Sequence, residues 1–257
     1  KGGAGGVLGA DSVAKAPADG YTLLFSSAGA LSIVPNIAPS MPYNPQKDLQ
    51  AVTQALKVPA VLVVAATSKY QTFAELLSGV RAAPDKFNYA SAGSGTTPHL
   101  QAELLKREAK LAINHIPYRG AAPALTDLMG GQVDMMMADV PVVLPFIQAG
   151  KLRALAVTSG KRIPILKDVP TTAELGLPKV EVYNWYGMLA PAHTPPDVVE
   201  RLYRTVGTAL NAPDMRNQFT QQGVEIVGSK PDEFGPFIFA ETARWGALAR
   251  SVGAKME

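Results

Sequence analysis

Cysteine is absent from the 257 residues, which excludes thiol nucleophiles, iron–sulfur ligation and disulfide bonds together and is compatible with an oxidising compartment. Long apolar runs are missing as well. The longest, Val58 to Ala66 around Pro59, falls far short of the roughly 18 to 20 residues that a membrane-spanning helix needs. Charge is sparse, at 18% of residues, and the 24 basic side chains are scattered, so no stripe is available to follow a phosphate backbone and nucleic acid is not expected as a partner. The net charge of +3 suits an anionic small ligand and is also ordinary for a soluble protein. Histidine occurs only as His99, His115 and His193. The one notable spacing, His99 to Glu103 a helical turn later, offers too few ligands for a metal site, so neither metal nor cofactor is expected. The opening run Lys1-Gly2-Gly3-Ala4-Gly5-Gly6 has neither the basic nor the apolar region of a signal peptide.

What is present is 47% apolar residues, a globular composition, arranged as short β-rich runs alternating with helical segments. That alternation predicts an α/β protein. Strands are expected over 21–25, 60–64, 87–90, 113–118, 133–138 and 152–158. Thr72-x-x-Glu75 and Thr171-x-x-Glu174 read as capping boxes opening helices, and Pro195-Pro196 opens a helix whose stripe is Val199, Leu202, Val206 and Leu210. Proline and glycine gather between 176 and 196, suggesting that the chain returns there from a second lobe to a first, with the outward crossover near 57–60.

The most informative segment is Tyr89-Ala-Ser-Ala-Gly-Ser-Gly-Thr-Thr-Pro98, in which a strand runs into a small-residue loop and then a helix N-terminus. Backbone N–H groups of such a turn converge on an anion, Gly93 and Gly95 let a ligand approach the backbone, and Ser91, Ser94, Thr96 and Thr97 add hydroxyls. A plain helix cap by Thr97 uses the same residues. Ser26-Ser27-Ala28-Gly29 and Gly3-Ala4-Gly5-Gly6 are similar turns, which in open α/β sheets gather at the carboxyl ends of the strands, placing Ser27 and Gly29 among candidate ligand contacts. Asp139, ending a strand before Val140-Pro141, either caps the next helix or faces a ligand hydroxyl, amino group or water. Arg119 is placed to steer a second carboxylate or to sit exposed, and Tyr186 in Trp185-Tyr186-Gly187 to wall a cleft or pack in a core. Met135 to Met137 and His115 read as core residues. Neither glycine loop completes the G-x-G-x-x-G dinucleotide fingerprint, because Leu8 and Pro98 stand where its third glycine belongs, and Ser94 lacks the glycine spacing of a hydrolase nucleophile elbow.

Taken in order, these residues resemble the tripartite tricarboxylate transporter receptors, the Bug-type extracytoplasmic solute receptors. The stretches that carry the resemblance include Ala18-Asp-Gly-Tyr-Thr22, Met41-Pro-Tyr-Asn-Pro45, Asn88-Tyr-Ala-Ser-Ala-Gly-Ser-Gly95, His115-Ile-Pro-Tyr-Arg-Gly120, Gly131-Gln-Val-Asp134, Ala149 to Ser159, Asp168-Val-Pro-Thr171 and Trp185-Tyr-Gly187. They span nearly the whole chain. The resemblance implies a two-lobed periplasmic-binding-protein fold, the type II Venus flytrap, each lobe a mostly parallel sheet flanked by helices. Residues 1–58 with 190–257 would form the first lobe and 59–189 the second. It further implies a monomeric periplasmic protein that closes by a hinge on a small mono- or dicarboxylate and hands it to integral membrane subunits without transforming it. Ser27 and Gly29 would come from the first lobe, Asp139 and the Ser91 to Thr97 loop from the second. Family members carry a signal peptide, a strand, a proline- and glycine-rich binding loop and a helix ahead of the position matching Lys1, so this sequence is expected to hold part of the family's site. Arg119 stands where lysine is common, keeping the charge but not the shape. An anion-binding, transferase-like enzyme on a similar scaffold and a ligand-sensing domain of a regulator are the alternatives.

Overall fold

The computed structural model describes residues 4–255; Gly3 of the first expected turn lies outside the described residues. In chain order the elements are α1 (Val7–Ala14), β1 (Leu24–Ser27), a π-helical turn (Gly29–Ile33) continuing into α2 (Val34–Ile37), β2 (Leu49–Ala65), α3 (Phe73–Ala82), β3 (Phe87–Ser91), α4 (Thr97–Ala109) and β4 (Ile113–Pro117). There follow α5 (Ala121–Met129), β5 (Met135–Asp139), α6 (Val140–Gln148), β6 (Leu152–Val157), β7 (Tyr183–Pro191), α7 (Pro196–Asn211), α8 (Pro213–Gln221), the two-residue β8 (Glu225–Ile226) and α9 (Pro231–Ser251). The chain forms two compact units. One comprises residues up to 57, Gly95–Thr97 and 185 onwards, the other Val58–Ser94 and Pro98–Asn184.

In the first unit β1, β7 and the first half of β2 lie side by side, with β8 added on β2 at Leu56 and Lys57. The β1–β7 ladder is antiparallel, pairing Leu24 with Leu189 and Ser27 with Tyr186. One face of β7 presents Trp185, whose indole meets Phe234 and Phe237 of α9 edge-on at 5.6 and 5.4 Å between ring centres. Gly187 makes that packing possible, because a Cβ there would overlap the Phe234 ring. The other face, through Met188 and Ala190, packs with Val52, Val199, Leu202 and Tyr203, so the predicted stripe of α7 is the buried one.

In the second unit the strand order is β6, β2, β5, β3, β4. Here β3 runs parallel to β4 and β5, whereas β2 is antiparallel to both β5 and β6. The α/β class therefore stands, and in this unit β3, β4, β5 and β6 share one direction while β2 alone opposes them, a mostly parallel sheet as expected. β2 is a single 17-residue strand shared by the two units, antiparallel to β5, β6 and β8. Met135, Met136 and Met137 are buried, as expected of core residues. Val61, Val63, Ala138, Val140 and Leu128 help to form an apolar core between the sheet and helices α5 and α6.

Local chemistry accounts for most boundaries. Thr72 accepts the Glu75 N–H (3.2 Å) while Glu75 accepts the Thr72 N–H (3.1 Å), the reciprocal capping of α3. The same reciprocity forms between Thr171 and Glu174, yet no helix follows, because Gly176 takes φ +84° and Pro178 comes two residues later. The first strand begins three residues later than predicted. Tyr21 is instead 91% exposed, its N–H held by Asp19 in a turn that needs Gly20 at φ +82°. β7 was not foreseen, since its flanking prolines and glycines read as loop.

Candidate functional site

In the first unit three small-residue turns meet. Gly29 is buried at the start of the π-helical turn, and a Cβ on it would lie 3.3 Å from the Gly5 carbonyl oxygen, 3.5 Å from that of Gly95 and 3.7 Å from Ser27 Oγ. Gly95 (φ +79°) and Gly5 (φ +63°) have a common neighbour, Val34 Cγ2, which a Cβ on either would approach to 3.0 and 3.1 Å. Segments from Gly5–Gly6, Ser27–Gly29 and Gly95–Thr97 are thus brought together by backbone approach that a side chain would obstruct. Ser27, half-buried at the end of β1, faces Tyr186 in register across the ladder. The Tyr186 ring lies nearly parallel to that of Phe25, at 6.0 Å and 11°, so Tyr186 belongs to an exposed-edge aromatic pair rather than to the core.

The second unit carries the other half of the loop. Ser91 ends β3 and is 1% exposed, its Oγ accepting the Gly93 N–H at 3.2 Å and lying 2.6 Å from His115 Nε2. Gly93 needs φ +133°, conformational room that only glycine has. Ser94 and Thr96 are half-buried and Thr97 is buried, as the first residue of α4. The segment after β4 is tied to this loop by Tyr118 N–H to Ser91 O (3.0 Å) and Gly120 N–H to Ala92 O (3.2 Å). Arg119, between those two anchors, is therefore fixed beside the loop by its backbone while its side chain is exposed.

Asp139 is 6% exposed, at the end of β5 opposite Ala60. It stands at the N-cap of α6 but makes no side-chain cap; Oδ2 instead accepts Asn184 Nδ2 at 2.7 Å. Of the two readings of Asp139, helix capping is therefore not realised. Beside it, Thr158 Oγ1 accepts the Ala60 N–H (3.0 Å) and donates to Val182 O at 2.5 Å, stitching β2 to the segment that leads to Asn184.

Sequence reasoning passed over Asn184, although it immediately precedes the Trp-Tyr-Gly motif. It also gave His115 no partner. The imidazole of His115 stacks with both Tyr89 (4.8 Å) and His99 (4.1 Å), and the Tyr89 hydroxyl donates to Glu103 Oε1 at 2.5 Å. Burial, reinforced by Lys106, lowers the His99 pKa to about 4; burial and the neighbouring His99 lower that of His115 to about 4 as well. Burial and the Glu103 carboxylate push the Tyr89 phenol well above its usual value. Both rings are neutral near pH 7 and suited to packing and hydrogen bonding rather than to anion attraction. Among the described residues no group of three or more His, Asp or Glu side chains could hold a metal ion, and no helix is long and apolar enough to cross a membrane.

Residues 1–254 match the family described as tripartite tricarboxylate transporter family receptor. Protein BugT of Bordetella pertussis is 39% identical over 99% of this chain and 78% of its own length. Among solved structures, R. palustris Rpa4515 with adipate superposes with a TM-score of 0.95 at 34% identity, covering 100% of this chain and 86% of that one. MatC (Rpa3494) from Rhodopseudomonas palustris with bound malate does so with a TM-score of 0.88 at 32% identity, covering 96% and 85%.

Proposed function

Because this chain belongs to the tripartite tricarboxylate transporter receptor family, a family of periplasmic solute-binding receptors and not of enzymes, we propose that it binds a small mono- or dicarboxylate by hinge closure of two lobes and delivers it to integral membrane subunits. The observation that carries the reading is the meeting of Gly5, Gly29 and Gly95 in the first unit. Turns built of such small residues let an anion reach backbone N–H groups and small hydroxyls without side chains in the way. In this reading Ser27, Gly29, Thr96 and Thr97 of the first unit and Ser91, Gly93, Ser94 and Asp139 of the second serve ligand binding. Tyr186 walls the ligand. Arg119, held beside the loop with its guanidinium in solvent, attracts the incoming carboxylate. The adipate and malate held by the two solved relatives support a carboxylate as the ligand class. The transferase-like alternative is set aside by the family placement, and the chemistry agrees, since the histidines nearest the loop stack on one another instead of pairing as acid and base.

A thermal-shift screen of two- to six-carbon mono- and dicarboxylates, with adipate and malate included, tests this. Ligand linkage predicts a rise of several degrees for the cognate acid at about 100 times its Kd, corresponding to roughly 2.7 kcal/mol. The acid should be recovered chemically unchanged. No shift with any acid, or turnover of one, would overturn the reading.

A further inference from the structure

The polar side chains beneath the Ser91 loop are left without a task by carboxylate binding alone. Ser91 Oγ accepts the Gly93 N–H and lies 2.6 Å from His115 Nε2. In the tautomer that leaves Nε2 unprotonated, the imidazole accepts a hydrogen bond from the Ser91 hydroxyl, and both the hydroxyl's donor and one of its lone pairs are then engaged inside the unit. His115 is in turn held by its stacking with Tyr89 and His99. Tyr89 is pinned through its hydroxyl to Glu103, and Lys106 Nζ lies 3.5 Å from the same carboxylate oxygen. Strands β3 and β4 pair Tyr89 directly with His115, so ring and loop are registered by the sheet itself.

We propose that His115 is a positioning residue for carboxylate binding, acting through Ser91: it orients that hydroxyl, and the hydroxyl holds Gly93 and the turn that meets the ligand. The proposal rests on the carboxylate reading above and sharpens it, because Ser91 then serves the site by shaping the loop while Ser94 and Thr96, half-buried further along, remain to meet the anion. A serine beside a histidine also invites a nucleophile–base reading. Ser91 is 1% exposed, which leaves a substrate carbonyl no approach to its Oγ. The groups facing the imidazole are Tyr89 and Ser91 from β3 and His99, Glu103 and Lys106 from α4. Protonating His115 turns Nε2 into a donor, which reverses its bond to Ser91 and loosens the turn.

Two measurements on the intact protein test the proposal. Calorimetric titration with adipate and malate at pH 7 should show His115→Phe and Ser91→Ala each weakening binding roughly tenfold, about the worth of one buried hydrogen bond. The double variant should bind no more weakly than either, and His115→Asn, which keeps a polar partner for Ser91, should recover much of the loss. Below about pH 5 wild-type affinity should fall more steeply than that of His115→Asn, a comparison in which the acid's own protonation cancels. Wild-type affinity in His115→Phe, or losses that multiply in the double variant, would overturn it. Independently of any ligand, the ¹⁵N imidazole shifts of His115 in the ligand-free protein should report an unprotonated, hydrogen-bonded Nε2 that moves in Ser91→Ala, together with the Gly93 amide. Unmoved resonances sink the proposal even if adipate binds. Failure of both acids to bind the wild type, with the resonances moving as expected, counts against these ligands and leaves the Ser91–His115 link established.

Discussion

A carboxylate buried among tryptophans has to be matched donor by donor, and Glu241 is. Its Oε2 accepts both Trp185 Nε1 (3.0 Å) and Trp245 Nε1 (2.8 Å), and Oε1 lies 3.2 Å from Arg244 Nη1. Glu241→Ala would leave two indole N–H groups with their partner gone and should cost about 3 kcal/mol in urea denaturation, whereas Glu241→Gln, which retains an acceptor, should cost distinctly less. Equal losses would mean that charge, not hydrogen bonding, is what the tryptophans require. The long-range half of this was not legible in the sequence, because Trp185 and Glu241 are 56 residues apart, whereas Arg244 and Trp245 stand three and four residues from Glu241 on α9. The small-residue loops were legible, since Gly93 and Gly95 stand where only glycine tolerates the backbone angles. What those loops rest on was not: His115 looked like a core residue because its partner Ser91 lies on another strand.

At the scale of elements, signals within a few residues of one another were readable and those supplied by neighbours were not. The Thr72–Glu75 box opens α3, and Thr72→Ala should destabilise the protein by about 1 kcal/mol, measurable as a lower urea midpoint with unchanged slope. An identical box at Thr171–Glu174 forms its bonds without a helix, so Thr171→Ala should disturb a turn and leave the helical signal in circular dichroism unaltered. β7 was hidden by its composition. Trp185, Tyr186 and Gly187 gain their strand identity from the ladder with β1 and from aromatic packing on α9, neither of which a local window contains. The sheet directions were likewise set by β2, whose antiparallel returns to β5, β6 and β8 follow from tertiary pairing.

For the molecule as a whole, the two depressed histidines make stability depend on pH. His99 and His115 have folded pKa values of about 4 against an ordinary 6.5, so between those limits the unfolded chain binds more protons than the folded one. Stability from this source is complete above about pH 6.5 and is lost as the pH falls towards 4, by on the order of 1–2 kcal/mol once solvent screening of the half-buried His115 is allowed for. Melting curves from pH 7.5 to 4.5 should therefore show a decline that His99→Gln/His115→Gln flattens; a parallel decline in that variant would assign the acid sensitivity elsewhere. The chain also passes between its two units four times, after Lys57, Ser94, Thr97 and Asn184. During synthesis the second unit has all its residues by Asn184, while the first waits for α7, α8 and α9. A ribosome stalled before those helices leaves Trp185 of β7 without Phe234, Phe237 and Glu241 of α9. The second unit lies within residues 58–184, interrupted only by Gly95–Thr97, whereas the first is assembled from separated pieces, so a stop codon after Asn184 removes part of the first unit while leaving every residue of the second in place.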